Sequence, residues 1–285
     1  MNGKDVMSNS ETRNAGPSPS NIAVVVTGAA RGMGRAMTLG LATAGVRVGA
    51  AFRKSSATEM HGLLDAARRQ GLDGRIVAIE CDVTRWHDCV RAAQSTIDRF
   101  GGVHGLVNNA GVGMQDFGRP GMGQIRRFYE HDAEAWRSAI DTNVNGPFLM
   151  AKAVAPTLVA QGWGRIVNIG TSPGTMLSAH YSPYGPSKAA LEAATAIWSR
   201  ELADTGVTVN TLLPGGPVNT RMIPDREVPD RSKLLPPEIM VAPIVWLMSP
   251  QSDGVTGRRF VARLWDASLD PRAAAEKASA PAGWS

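Results

Sequence analysis

The chain has 285 residues, 43% hydrophobic and 19% charged, with 31 glycines, the profile of an ordinary globular α/β chain long enough to bury a sizeable core. A formal charge of +5 raises nucleic acid as a partner, but the basic residues are scattered and the densest groups are pairs such as Arg68-Arg69 and Arg258-Arg259, which argues against it. Two cysteines, no 18-residue apolar run, no apolar signal region near the N-terminus and five histidines without ligand spacing predict a cytoplasmic protein with no membrane span and no metal.

The first 20 residues read as a disordered leader. From Asn21, short β-branched runs alternate with helix-length segments. The runs lie at 22–27, 46–51, 75–80, 103–108, 165–169 and 207–213, and several are apolar almost throughout, as strands covered on both faces are. The helical segments lie at 32–44, 55–70, 84–100, 132–161 and 182–205. RRFVARL, 258–264, would add an edge strand, and residues 266–285, rich in Ala and Pro, read as a C-terminal tail. Unbroken strand–helix alternation over 21–265 predicts one α/β domain, a doubly wound parallel sheet of Rossmann type flanked by helices. Ligands of such sheets sit at the carboxyl ends of the strands.

TGAARGMG follows the first strand and opens a helix. Gly28, Gly32 and Gly34 would let backbone amides approach a diphosphate at the positive end of the helix dipole, with Arg31 and Met33 between them. The spacing is G-x-x-x-G-x-G rather than G-x-G-x-x-G. The second strand ends AAFRKSS, with Phe52 near the position where an acid would meet a free ribose 2′-hydroxyl, and with Arg53 and Lys54 next. Lack of an acid and presence of arginine favour a 2′-phosphate, hence NADP(H) over NAD(H).

A tyrosine is a poor acid or base at neutral pH unless a nearby positive charge stabilises its phenolate. Tyr184 and Lys188 are four residues apart, one helical turn, and so share a face. Tyr181 is seven residues from Lys188, about 10 Å along a helix, and precedes the helix start suggested by Ser182-Pro183.

Joined, these features resemble the short-chain dehydrogenase/reductase family over about residues 21–261, with Asp82-Val83 after the third strand, Asn108-Asn109-Ala110-Gly111 after the fourth, Asn143 within DTNVNGPF and Pro214-Gly215-Gly216 after the sixth. The resemblance implies an oxidoreductase that interconverts a secondary alcohol and a ketone by hydride transfer at the nicotinamide. Tyr184 would be the acid/base. Lys188 would lower its pKa and bind the ribose, and Asn143, at a helix kink, would hold a relay water. It places Asp82 and Val83 at the adenine, although Asp82 also reads as a helix cap before Thr84. Asn109, Ala110 and Gly111 would line the cofactor, Asn109 also tying neighbouring strands, with Pro214 and Gly216 under the nicotinamide. Thr220 would bond the carboxamide or diphosphate, one residue later than the common spacing. The family's carbonyl-polarising serine falls on Thr171, thirteen residues before Tyr184, with Ser172 one residue out of register as the alternative.

Met176, His180, Tyr181 and Met222, with Leu177, suggest a mostly apolar pocket for a small carbonyl or alcohol. The connection from Gly111 to Trp136, with Met114, Phe117, Met122, Phe128 and Tyr129, reads as a lid, an oligomer contact or a plain surface loop, and 218–237 falls where the family keeps its substrate loop. The family also implies a homo-oligomer, dimer or tetramer. A 3-oxoacyl-carrier-protein reductase, with Arg126 and Arg127 toward a carrier phosphate, and a non-enzymatic NADP(H)-sensing scaffold are the other readings.

Overall fold

The computed structural model describes residues 17–117, 127–223, 228 and 230–284. The leader's first 16 residues, and Met122 and Arg126 of the long connection, therefore lie outside the described residues.

Eight strands form one sheet in the order β3-β2-β1-β4-β5-β6-β7-β8. They are β1 Ala23–Thr27, β2 Arg47–Phe52, β3 Ile76–Glu80, β4 Gly105–Asn108, β5 Gly164–Ile169, β6 Val207–Leu213, β7 Arg258–Val261 and β8 Ser279–Pro281. The first seven run parallel and β8 pairs antiparallel with β7. Every residue of β1, β4, β5 and β6 is buried, which is why these strands are dominated by apolar residues, with Arg165, Asn168 and Asn210 among the polar side chains buried beside them.

Alternation along β1 supplies two core layers. Val24 and Val26 join Met37 and Leu41 of α1 (Gly32–Thr43), Leu63 of α2 (Ala57–Arg69) and Ile244 of α8 (Val241–Leu247). Val25 joins Cys89 of α3 (Trp86–Phe100) and Met150 and Val154 of α5 (Gly146–Ala160) on the other side. The strand order reverses between β1 and β4, and the crevice opens there.

The helix expected over 132–161 is divided. α4 spans Ala133–Ile140, a π-helical turn follows at Asp141–Asn145, and α5 continues the path. The π turn places Asn143 at zero exposure, facing the crevice side rather than solvent. α6 (Pro173–Met176) and α7 (Tyr184–Glu201) complete the site's framework.

The C-terminal segment is not a tail. Asp270 caps α9 (Pro271–Lys277) by accepting the Arg272 amide, Pro271 occupies the first turn, and Ala274 and Ala275 are buried. β8 then covers β7, so 258–261 is an interior strand instead of the edge. Glu192 Oε1 of α7 anchors the end of the chain by accepting from Arg259 Nη1 at 3.0 Å and from the Gly283 amide at 3.1 Å. The new edge carries Pro281, which cannot donate to a further strand. Among the described residues no helix is long and apolar enough to cross a membrane.

Candidate active site

The cleft beside the switch point has a volume of about 550 Å3. Gly28, Arg31, Gly32, Met33, Gly34, Arg53, Val83, Asn109, Ala110, Gly111, Thr220 and Met222 all line it. Its floor is shaped for close backbone approach. Gly28 has φ +63°, and a Cβ there would stand 2.9 Å from Ala110 Cα. A Cβ on Gly34 would stand 2.1 Å from the Gly28 carbonyl oxygen, so any side chain there would separate α1 from the turn.

Arg31, the N-cap of α1, makes no side-chain cap bond, so the first amides of the helix have no side-chain acceptor. A nucleotide diphosphate fits that unfilled demand and the cradle of glycines. Asn109 supports the cradle from below, its Nδ2 donating to the carbonyls of Thr27 (2.8 Å) and Gly28 (3.2 Å) and tying β4 to β1. Asn108 continues the brace by donating from Nδ2 to Asn168 Oδ1 at 2.9 Å.

Beyond the end of β3 the cleft is walled by Cys81 and Val83. Asp82 stands between them, its Oδ1 accepting from the Thr84 amide (3.0 Å) and hydroxyl (2.8 Å). It stabilises the turn before α3 and is not the helix cap, a position taken by Arg85. Pro214 and Gly216 follow β6 outside the cleft lining, with the Pro214 carbonyl accepting from the Arg263 amide at 3.1 Å. Thr220 presses its Cγ2 to within 3.0 Å of where a Cβ on Gly32 would lie, against the glycine turn.

The catalytic candidates stand outside the cleft lining and adjoin it at Gly111. Thr171 follows β5, and its hydroxyl lies beside Tyr184 at the start of α7, near enough to act on the phenol's pKa. Ser172 faces elsewhere. As the N-cap of α6 its Oγ accepts the Thr175 amide at 3.2 Å and shares a hydrogen bond with the Thr175 hydroxyl at 2.9 Å. Lys188 is buried, its Nζ 5.9 Å from the centre of the Tyr184 ring and donating to the Ile169 carbonyl at 2.8 Å.

Burial pushes the Tyr184 hydroxyl up to about 12, the Thr171 hydroxyl opposes this, and the nearby Tyr181 phenol adds to it. Burial pulls Lys188 down to about 8. Lys188 donates to the Ile169 carbonyl, and burial sets the direction of the Tyr184 shift.

Asn143 is tied into the protein by its side chain. Its Oδ1 accepts the Val112 amide (2.9 Å), and its Nδ2 donates to the Val112 carbonyl and Ser187 Oγ (3.0 Å each). These bonds brace the loop after β4 on α7. It still borders the reacting region, because a Cβ on Gly111 would lie 3.2 Å from Asn143 Oδ1 and 3.8 Å from Lys188 Nζ.

The expected substrate residues are divided. Met222 covers Gly113 and lines the cleft. Tyr181 is half-buried beside Tyr184. His180 is exposed with φ 67°, an uncommon left-handed conformation for a non-glycine residue. Met176 is buried at the α6–α7 joint, where its carbonyl oxygen would stand 2.5 Å from a Cβ on Gly185, so it serves packing. Phe128 and Tyr129 are exposed and stack edge-on at 5.5 Å, and Met114 packs by Val112 and Ala139. Arg127 is exposed. Arg231 and Glu238 line the cleft and were not singled out by sequence patterns.

A Rossmann sheet with a glycine cradle and a Thr–Tyr–Lys group at its switch point defines a nicotinamide-dependent oxidoreductase architecture. The family model for short chain dehydrogenases matches residues 22–229, and the chain belongs to that family. It is 32% identical over 243 residues to the 3-oxoacyl-acyl-carrier-protein reductase of Vibrio cholerae, covering 82% of this chain and 92% of that one. It is 28% identical to a cyclohexanol dehydrogenase of an Acinetobacter species, covering 85% of this chain and 93% of that one. A short-chain dehydrogenase/reductase structure from Burkholderia xenovorans superimposes with TM-score 0.73 at 27% identity, covering 85% and 94%. The chain is therefore an NAD(P)-dependent oxidoreductase acting on small molecules.

Proposed function

We propose that this chain is an NADP(H)-dependent carbonyl reductase, or in reverse a secondary-alcohol dehydrogenase, with Thr171, Tyr184 and Lys188 as its catalytic group. The Thr171 hydroxyl beside Tyr184, with the buried Lys188 Nζ 5.9 Å from the centre of the same ring, carries the reading. When bound, the nicotinamide supplies or accepts a hydride at C4. The protein's own task is to supply the matching proton and to hold the carbonyl oxygen. Thr171 and Tyr184 form a two-hydroxyl clamp for that oxygen. A pKa near 12 keeps Tyr184 protonated at pH 7, the form a reductase needs. With its pKa near 8, Lys188 is about nine-tenths charged at pH 7 and offsets the phenolate formed as the proton leaves.

The preference for NADP(H) is supported by Arg31 and Arg53 at the cleft wall, with no acid at the end of β2. Neither arginine is in an ion pair with a described residue. Side-by-side titration with NADPH and NADH tests it, and tighter NADH binding would refute it. The free thiols Cys81 and Cys89 accord with a reducing cytoplasm. Exposed Phe148, Val159 and Ile197 on α5 and α7 accord with a homodimer or a larger assembly.

The substrate we favour is a ketone of modest polarity, in keeping with Tyr181 and Met222. The Vibrio relative's printed activity supports a second reading, reduction of a 3-oxoacyl thioester. A panel of cyclic ketones beside an acetoacetyl-pantetheine thioester separates the two.

A further inference from the structure

Five arginines border the cofactor cleft: Arg31, Arg35, Arg53, Arg221 and Arg231. Arg231 is committed to the protein. It donates Nε to Asn219 Oδ1 at 2.8 Å, Nη1 to the Ile223 carbonyl and Nη2 to the Thr220 carbonyl at 3.0 Å each. These bonds shape the turn that presents Thr220 and Met222 to the cleft. Arg221 sits within that turn, and its side chain leaves it to reach the opposite wall.

There Arg221 forms an ion pair with Glu59 in the first turn of α2, 162 residues away in sequence. Ser56, just before α2, also lines the cleft. A hydrogen bond from its own backbone holds the Glu59 carboxyl below its ordinary range, and Arg221 and the more distant Arg31 add to this. Glu59 is thus an anion at rest beside the arginines of the cleft.

We propose that Arg221 is a specificity-determining residue for the cofactor: it leaves Glu59 for the 2′-phosphate of NADP(H), and in doing so fastens the Thr220–Met222 turn over the cleft. This rests on the NADP(H) reading above. The exchange runs downhill because an exposed guanidinium–carboxylate pair is worth little, whereas a phosphate near −2 charge offers more oxygens to the same planar fork. Arg221 is 70% exposed at its side chain, so it can reorient without disturbing a packed core. Thr220, its neighbour, already rests against Gly32, so the turn that follows Arg221 is the turn that faces the cofactor. A cofactor without the phosphate would leave Arg221 on Glu59 and the turn unfastened.

The test is equilibrium binding of 2′,5′-ADP and 5′-AMP to the wild type and to Arg221→Gln, Glu59→Gln and Arg53→Ala, followed by calorimetry. Arg221→Gln should weaken 2′,5′-ADP about three- to tenfold and leave 5′-AMP within about twofold, which also shows that the cleft is intact. Glu59→Gln should tighten 2′,5′-ADP, by removing both the competitor for Arg221 and a repulsive charge. Unchanged 2′,5′-ADP binding in Arg221→Gln, or weakened binding in Glu59→Gln, overturns the proposal. If the wild type prefers 2′,5′-ADP and Arg53→Ala alone removes the preference, the NADP(H) reading stands and the role of Arg221 falls. Equal binding of both probes by the wild type would sink the NADP(H) reading and this proposal together.

Discussion

Thr171 and Ser172 are adjacent hydroxyls, and exchanging each for alanine should damage different properties. The Thr171 hydroxyl lies beside Tyr184, where charge develops on the carbonyl oxygen as it is protonated. Removing one such donor typically costs about 10²–10³ in kcat, so Thr171→Ala should fall by that factor while Thr171→Ser keeps most activity. Ser172 instead closes two bonds to Thr175, at 3.2 and 2.9 Å, as the cap of α6. Losing a cap costs about 1 kcal/mol, a drop of about 2–4 °C in Tm for a chain of this size, with kcat within a few-fold. The assay pairs thermal melts with NADPH-linked ketone reduction for all three variants. A folded Ser172→Ala that is inactive, beside an active Thr171→Ala, would refute the assignment of Thr171.

Activity in the reductive direction should decline as pH rises through about 8, where Lys188 loses its charge, and a kcat/KM–pH profile would show that limb. Lys188 also titrates against stability: its folded value near 8 lies below the ordinary 10.5, so the unfolded chain binds more protons between these pH values and wild-type stability rises across that window. Lys188→Met should therefore be inactive yet more stable at pH 7 by about 1–3 kcal/mol, without the rise above pH 8, as urea titrations would reveal. Asn143→Ala should destabilise by about 2–4 kcal/mol, since it strands the Val112 amide and carbonyl; a neutral effect in denaturant melts would deny it the role of brace. Arg53→Asp should weaken NADPH binding about tenfold or more and spare NADH, measured by fluorescence titration.

Much of the sheet was legible because two-sided burial leaves β1, β4, β5 and β6 rich in β-branched and apolar residues, even though Arg165, Asn168 and Asn210 are buried among them. The glycine cradle was legible for a related reason: only a residue without Cβ fits at Gly28 and Gly34. The C-terminal helix carries one local signal, Asp270-Pro271 before an alanine-rich run, but β8 has none, because its three residues, Ser279–Pro281, pair only once they meet β7. The choice between Thr171 and Ser172 needed the third dimension, because only the cap of α6 shows where the serine is spent. Asn143 was found by its position in a motif, but its bonds run to Val112 and Ser187, 31 and 44 residues away. Arg221 and Glu59 carry no local signal at all, since their pairing exists only once the loop after β6 lies across α2.

The central claim is that a half-buried tyrosine, flanked by Thr171 and backed by Lys188, exchanges the proton that accompanies hydride transfer. Single-turnover reduction of a ketone found from the panel, by wild type and by Tyr184→Phe with NADPH bound, tests it most directly. The account predicts a rate at least about 10³-fold lower in the variant with NADPH affinity within about twofold. A Tyr184→Phe enzyme that binds NADPH normally and turns over at near the wild-type rate would contradict it.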